Sequence, residues 1–297
     1  MIQTSIVSPI ERPRPQVKTD SQKSSRFMKS FAWIFVCMFI IPVTIFVVSP
    51  RFFDAVHTDA KSFRPPQKLL IVFAHTDDEV TNSGLIRYWA SRGSEIKILT
   101  LTDGSANPDS DLSACRASEN ITSCRMRELS KSARTLGIRH VRTPLLPDSK
   151  LMKVLPLASQ IVGEELSSFR PDAVLTMEPS GLNGLSDHRA AFLSVAEAVK
   201  KSDHRFTTYL SVLPPPFEWF LPSRIPSEDS SKVKTFPTPR QLLLSKVEVA
   251  NAHQSQSKTI RGLTLGLGAD KLFTWINFET YGVFDSTELS RLEELAY

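Results

Sequence analysis

The sequence predicts an α/β fold: a Rossmann-like, mostly parallel sheet with helices on both faces, preceded by one N-terminal transmembrane helix. Two observations carry this prediction. From residue 68 onwards, short apolar runs alternate with segments whose apolar residues recur at the helical period, the pattern of repeated β–α–β units. Ahead of them, residues 31–48 form an apolar run of 18 residues without a charge.

The apolar run is long enough to cross a bilayer as a helix. Eighteen residues at about 1.5 Å each span roughly 27 Å, close to the thickness of the hydrocarbon core. A buried core helix or a cleaved signal peptide is the alternative, but a signal peptide has only a short basic region before its apolar segment. Here 30 residues precede the run. The predicted organisation is a disordered basic tail, a membrane anchor, a tether and a globular domain, at residues 1–30, 31–49, 50–66 and 67–297.

The globular part alternates between strands and helices. The strands are short runs rich in Val, Ile, Leu and Phe, and the helices are longer amphipathic segments. Gly137 follows one helix and is predicted to end it. Residues 214–239 hold seven prolines and are predicted to form a long surface loop. The predicted strands are 68–74, 95–101, 141–145, 173–177 and 206–213, and the predicted helices are 79–92, 121–136, 157–169, 187–200 and 241–254.

The net charge of +5 does not indicate nucleic-acid binding, because most of it lies in the N-terminal tail. Residues 1–30 carry six Lys or Arg against two acidic residues, and the remainder has 30 basic and 29 acidic residues. The globular part is therefore nearly neutral, without a basic stripe, and no nucleic-acid partner is expected.

Three features predict that the globular domain faces the extracytoplasmic or lumenal side of the membrane. A small excess of basic residues precedes the apolar run, which favours a cytoplasmic N-terminus. Cys115 and Cys124 are nine residues apart in a polar loop and could form a disulfide, although two free thiols are an open alternative. Asn120, Ile121 and Thr122 form a glycosylation sequon.

Side chains able to bind a metal or move a proton crowd the turn after the first strand. The run from His75 to Glu79 contains one imidazole and three carboxylates directly after 68–74. In open α/β sheets, ligands bind beyond the carboxyl ends of the strands. One carboxylate can bind a divalent metal while its neighbour acts as a base, which predicts metal-assisted hydrolysis.

The other predicted strands end in polar residues that would reach the same edge. Asp103 follows the second strand and Asp148 the third. The fourth leads through a segment with Gly181 and Gly184 to His188, in the first turn of a helix. Two histidines and a carboxylate from separate loops would leave a coordination position open, as catalytic zinc sites do.

Seven short segments follow one another along the chain: Ala74-His75-Thr76-Asp77-Asp78-Glu79, Leu101-Thr102-Asp103-Gly104, Arg125-Met126-Arg127-Glu128-Leu129, Leu136-Gly137-Ile138, Leu146-Pro147-Asp148, Ser186-Asp187-His188 and Ala252-His253-Gln254-Ser255-Gln256. In this order they resemble the PIG-L/LmbE-like zinc de-N-acetylases, which remove acetate from N-acetylglucosaminyl conjugates. The resemblance covers roughly residues 67–257. It implies a Zn2+ cofactor, with Fe2+ as the alternative, and an N-acetylated amino-sugar conjugate as substrate.

The resemblance also implies a role for each site residue. His75, Asp78 and His188 would bind the metal, and Asp77 would be the general base. Arg125 and Asp148 would bind the substrate. Glu79, Asp187 and His253 are candidates for an outer-shell contact or a proton donor.

At Leu185 the chain departs from the family, which has a histidine there that stabilises the oxyanion and protonates the leaving amine. Leucine can do neither, so a catalytically weakened member that binds a sugar conjugate is the alternative function, and the role of Asp187 is open. A nucleotide-binding protein is disfavoured, because no Gly-x-Gly-x-x-Gly follows the first strand.

Several site residues also have a purely structural interpretation. His75, Asp77 and Asp78 could form a solvated helix-capping cluster, and Arg125 with Glu128 a solvent-facing helical pair. Asp103 and Asp148 could be turn residues, and His253 a packed core histidine. The leading prediction is a membrane-anchored hydrolase acting on a glycoconjugate such as N-acetylglucosaminyl-phosphatidylinositol, with the lipid bilayer as a further partner.

Overall fold

The computed structural model describes residues 63–213, 225–263, Gly268, Lys271 and 277–297. Within these residues the chain forms a mixed α/β fold around one sheet. The strands are β1 Lys68–Phe73, β2 Glu95–Thr100, β3 His140–Arg142, β4 Ala173–Met177, β5 Thr207–Val212, β6 Val233–Pro237 and β7 Phe278–Asp285. The longer helices are α1 Ser83–Ala90, α2 Ile121–Leu136, α3 Leu155–Phe169, α4 Ser186–Lys200, α5 Leu243–Ala252 and α6 Ser257–Leu263.

The sheet is parallel over its first five strands and antiparallel at one edge. Its order is β3-β2-β1-β4-β5-β7-β6, and β7 runs antiparallel to both of its neighbours. Lys68 lies opposite Glu95 and Phe73 opposite Thr100, so β1 and β2 end at the same level. The chain moves outward from β1 to β2 and β3, and then returns to the other side of β1 with β4. A crevice for ligands is expected at this reversal between β1 and β4.

Alternate residues of β1 face opposite layers of the core. Leu70 and Val72 pack into a cluster that includes Val162 of α3 and Phe192 of α4. Leu69, Ile71 and Phe73 pack into a second cluster that includes Trp89 of α1 and Leu136 of α2. Both faces of β1 are buried, which explains why its sequence is a continuous apolar run.

Four predicted elements differ from the structure. The segment 214–239 is not all loop, because Val233–Pro237 forms the edge strand β6. An edge strand tolerates a terminal proline, since the missing N–H is not needed for pairing. The predicted helix 79–92 is divided into a 3-10 turn, Asp78–Asn82, and α1. The predicted strand 141–145 ends at Arg142, two residues before Pro144, and the predicted helix 241–254 is shortened to α5.

The membrane segment stays a prediction. The predicted tail and anchor, and most of the tether, lie outside the described residues. Among the residues that the structure describes, no helix has the length and apolar character needed to cross a bilayer.

Cys115 and Cys124 form a disulfide, with their Cα atoms 5.4 Å apart. The bond connects the long loop after β2 to the first turn of α2. Asn120 begins that helix, because its side chain accepts a hydrogen bond of 2.8 Å from the backbone N of Ser123. Asn120 is exposed.

Candidate metal centre and substrate cleft

His75, Asp78 and His188 converge at the carboxyl ends of β1 and β4. Asp78 shapes the turn after β1, because its Oδ2 accepts hydrogen bonds from the backbone N of Ala74 (3.0 Å) and of His75 (2.8 Å). These two bonds direct the other carboxylate oxygen, Oδ1, toward the two imidazoles. His188 comes from the first turn of α4, 113 residues further along the chain.

The three facing atoms have the spacing of ligands around one ion. His188 Nε2 lies 3.1 Å from His75 Nδ1 and 3.1 Å from Asp78 Oδ1, and His75 Nδ1 lies 3.7 Å from Asp78 Oδ1. A tetrahedral ion with bonds of about 2.0–2.1 Å places its ligand atoms roughly 3.3 Å apart, which these separations bracket. Two imidazole nitrogens and a carboxylate oxygen are donors that a divalent transition metal accepts. The residues therefore fit a metal.

Hydrogen bonds behind each imidazole orient its ring. His188 Nδ1 lies 2.9 Å from the carbonyl oxygen of Gly181 and donates to it, which leaves the lone pair of Nε2 facing the centre. Only glycine fits at 181, because its φ is +76° and a Cβ there would lie 2.9 Å from the Cβ of His188. On the other histidine, His75 Nε2 lies 3.3 Å from Asp148 Oδ1 and 3.7 Å from Asp187 Oδ2.

Negative charge dominates this point of the fold. Burial alone would lower the pKa of His75, but Asp148, Asp187 and Asp78 outweigh it and raise that pKa well above its ordinary value. Burial alone would raise the pKa of Asp78, but His188 and His75 hold it well below the ordinary value. A bound cation would neutralise this excess of carboxylates.

Asp77 lies beside the three residues and is held by Arg125. Arg125 Nη2 donates to Asp77 Oδ2 at 3.3 Å, and its Nη1 donates to the carbonyl oxygen of Gly104. Glycine at 104, whose φ is +67°, leaves room for this contact, because a Cβ there would collide with the Arg125 guanidinium. Arg125 and Glu128 are 2% and 1% exposed. The alternative of a solvent-facing helical pair is therefore wrong.

Two further carboxylates hold the loops around the centre. Asp148 accepts from the backbone N of Ala106 (2.6 Å) and Ser149 (2.9 Å). Burial alone would raise its pKa, but the bonds from His75 and these amides lower the pKa to about 2. Asp187 accepts from the backbone N of Ser149 (2.7 Å) and Leu151 (3.1 Å), so it ties the loop after β3 to α4.

Glu79, His253 and Asp103 form hydrogen bonds next to the site. His253 Nε2 lies 2.6 Å from Glu79 Oε1, which also accepts a 2.5 Å hydrogen bond from Ser132. Burial alone would lower the pKa of His253, but the Glu79 carboxylate outweighs it and raises the pKa. Asp103 binds the backbone N of Ser105 (3.0 Å) and the hydroxyl of Thr122 (2.5 Å), which is the contact of a turn residue.

A cleft of about 800 Å³ opens over the centre. His75, Asp77, Asp78 and His188 line it together with residues from the ends of β4, β5 and β7. Leu185, which also lines the cleft, is 47% exposed.

Two residues that line the cleft, Glu279 and Lys246, are ion-paired with each other and were not predicted from the sequence. Glu279 accepts from the backbone N of Gly84 (2.7 Å) and Leu85 (2.8 Å), at the start of α1. No signal pointed to Glu279, because β7 itself was not predicted.

Comparisons with known proteins agree with this geometry. The PIG-L family, described as GlcNAc-PI de-N-acetylase, matches residues 70–199. A 1D-myo-inositol 2-acetamido-2-deoxy-alpha-D-glucopyranoside deacetylase of Rhodococcus erythropolis is 26% identical over 239 residues, covering 64% of this chain and 81% of that protein. A protein of the same name from a Mycobacterium species is 26% identical over 179 residues, covering 53% of this chain and 55% of that protein.

Two solved structures share the fold. The N,N'-diacetylchitobiose deacetylase of Pyrococcus horikoshii has a TM-score of 0.53 and 17% identity, covering 79% of this chain and 90% of that one. The zinc-inhibited form of teicoplanin deacetylase Orf2 has a TM-score of 0.55 and 14% identity, covering 73% of this chain and 98% of that one. The matched domain and the site motifs together lead to one conclusion: residues 70–199 of this chain match the PIG-L family, and the relatives and solved structures that the chain resembles are de-N-acetylases.

Proposed function

We propose that this protein removes acetate from an N-acetylglucosamine-type glycoconjugate by metal-dependent hydrolysis. The observation that carries the proposal is the convergence of His75, Asp78 and His188 beside a carboxylate, Asp77, that is not part of the set. The named relatives act on acetamido sugars, which supports the same class of substrate.

Zn2+ is the proposed cofactor, with Fe2+ as the alternative, held by His75 Nδ1, Asp78 Oδ1 and His188 Nε2. Bound there, the cation would supply a Lewis acid for the acetamide carbonyl and for the negative charge that develops on its oxygen. The remaining chemistry belongs to groups of the chain.

Asp77 is proposed to accept the proton of the attacking water and to return it to the leaving amine. The C–O bond to the water oxygen forms first and gives a tetrahedral carbon; the C–N bond then breaks as the amine takes the proton from Asp77, so acetate and the free amino sugar are the products. Arg125 keeps the Asp77 carboxylate at the cleft, since their 3.3 Å contact is anchored by the bond of Arg125 to Gly104. Positioned acid–base groups contribute about 10²–10⁴-fold in rate.

Asp148 and Arg125 are proposed to contact the sugar or its phosphate. Both line the cleft, and their charges are opposite, so a hydroxyl donor and an anionic group could be recognised side by side. Asp187 is proposed to act indirectly: its hydrogen bonds to Ser149 and Leu151 fix the position of the loop after β3, which carries Asp148.

We propose further that the substrate is lipid-linked, like N-acetylglucosaminyl-phosphatidylinositol, and that residues 31–49 anchor the domain at the bilayer. The apolar sequence of that segment supports the anchor. The Cys115–Cys124 disulfide supports an extracytoplasmic or lumenal location, because disulfides persist in oxidising compartments.

A weakened, sugar-binding member of the family is the second candidate, and Leu185 is the observation that favours it. Removal of one oxyanion donor costs about 10²–10³ in rate, and a leucine side chain at the cleft supplies none.

The experiment is to measure acetate release by the full chain in detergent, from N-acetylglucosaminyl-phosphatidylinositol and from its lipid-free inositol glycoside. Release that stops with a chelator and returns with Zn2+ or Fe2+ is expected, with the lipid form preferred. Equal turnover of both forms would refute the lipid preference alone. An absence of metal-dependent release would refute the hydrolase, and binding of either glycoside would then favour the second candidate.

A further inference from the structure

The cleft has two unlike halves on opposite sides of the metal ligands. The polar half lies at the ends of β2 and β3, in the loops that follow them and at the start of α2. The apolar half lies at the ends of β4, β5 and β7 and at the start of α4. Polar-half residues are Asn107, Asp109, Arg125, Asp148 and Ser149, and apolar-half residues are Met177, Leu182, Leu185, Val212, Leu213 and Phe278.

The order of the strands explains this division. His75 and Asp78 follow β1, and His188 follows β4, so the centre lies at the junction of those two strands. β2 and β3 extend from it to one side, and β5 and β7 to the other. Some polar groups do line the apolar half: Ser186, Ser211, Thr280 and the Lys246–Glu279 pair, whose charges are directed at each other.

The geometry of an amide connects the two halves. In a trans amide, the group on nitrogen and the chain on the carbonyl carbon point away from each other across the C–N bond. With the carbonyl at the centre and the sugar hydroxyls in the polar half, the acyl chain must point into the apolar half. A cleft of about 800 Å³ is near the upper end of the roughly 300–1,000 Å³ typical of drug-sized ligands.

We infer that the apolar half binds the N-acyl chain of the substrate, and that chains longer than acetyl are cleaved preferentially. This inference rests on the proposed hydrolysis and extends it from acetyl to longer acyl groups. Leu182 lies in the short helical segment Gly181–Gly184, Leu185 directly follows it, and both line the cleft ahead of His188, so an acyl chain leaving the centre meets apolar surface at once. Water still supplies the oxygen, the C–N bond still breaks, and the product is the longer fatty acid with the free amine.

The test is to measure kcat/KM for N-acetyl-, N-butyryl- and N-hexanoyl-glucosamine, following the free amine that is released. Each buried methylene should raise kcat/KM by about fourfold. The hexanoyl chain has four more methylenes than acetyl. If only two of them are buried, kcat/KM should be more than tenfold higher for N-hexanoyl- than for N-acetyl-glucosamine. A flat or falling series would overturn the inference while leaving deacetylation intact.

Two variants and a matched control locate the effect. Leu185→Ser and Val212→Thr should reduce the hexanoyl-to-acetyl ratio severalfold, with Val212→Thr almost unchanged in volume. Leu157→Ser is the control, because Leu157 is 46% exposed on α3, against 47% for Leu185, but does not line the cleft. If Leu157→Ser lowers the ratio as much as Leu185→Ser, the inference fails.

Two further arms separate the inference from the proposed function. Octyl N-acetylglucosaminide places the alkyl chain on the other side of the sugar, so a gain for this glycoside without any for N-hexanoyl would overturn the inference. If no sugar is hydrolysed, the proposed function fails, and binding affinities then test the inference. The affinities of the Zn2+-loaded protein for N-hexanoyl- and N-acetyl-glucosamine should still differ more than tenfold, and equal affinities would refute the inference.

Discussion

The adjacent residues Asp77 and Asp78 allow a direct test of the site. Replacement by Asn should remove the metal at position 78 but leave it bound at position 77. In Asp78→Asn, the side-chain carbonyl can still accept from the backbone N of Ala74 and His75, so the turn should persist. The second oxygen becomes an NH2 group with no lone pair for a metal. Loss of an outer-shell partner alone costs about 10–100-fold in metal affinity, so loss of this ligand should cost more than 10²-fold.

Asp77→Asn should keep the metal and lose turnover. Asp77 contacts Arg125 at 3.3 Å and is not one of the three converging residues. Loss of a general base costs about 10²–10⁴ in kcat, equivalent to roughly 2.7–5.5 kcal/mol. Three measurements on each variant test this: metal content by mass spectrometry, Zn2+ affinity by competition with a chelator, and the melting temperature. If Asp77→Asn strips the metal while Asp78→Asn retains it, the assignment of ligand and base is reversed.

Three further predictions concern other parts of the domain. Leu185→His should raise kcat on acetamido sugars by about 10²-fold, the typical effect of one oxyanion donor; an unchanged kcat would show that position 185 does not limit the reaction. The raised pKa of His253 predicts stability that is complete below its unfolded value of about 6.5 and is lost as pH rises through the folded value. Urea unfolding should therefore show a decline above pH 6.5 that is smaller in His253→Gln, where only the raised pKa of His75 still contributes; a decline of the same size in both proteins would contradict the assignment. Reduction of Cys115–Cys124 should lower the free energy of unfolding by about 2–3 kcal/mol, as the chain-entropy model gives for so short a loop; denaturant curves that coincide with and without reductant would refute it.

The parallel part of the sheet was predictable from local pattern, but its antiparallel edge was not. β1, β2 and β4 are short apolar runs, and their predicted bounds agree with the structure to within one residue. β6 lies in a segment with many prolines, and β7 has no apolar run as continuous as β1. Both are stabilised by pairing with strands distant in sequence. The local pattern of apolar residues cannot predict pairing between strands that are far apart in the sequence.

The sequence by itself determined which residues stand at the ends of the parallel strands, and so placed His75, Asp78 and His188 at one edge. This follows because parallel strands end together, whatever packs around them. Only the tertiary structure decided which atoms meet there. Three features depend on contacts between distant segments, because packing sets the direction and burial of side chains. They are the burial of Arg125, the hydrogen bonds of Asp187 to the loop after β3, and the division of the cleft into two halves. The polar and apolar halves are contiguous in space but dispersed along the chain, so the shape of the cleft becomes visible only after folding.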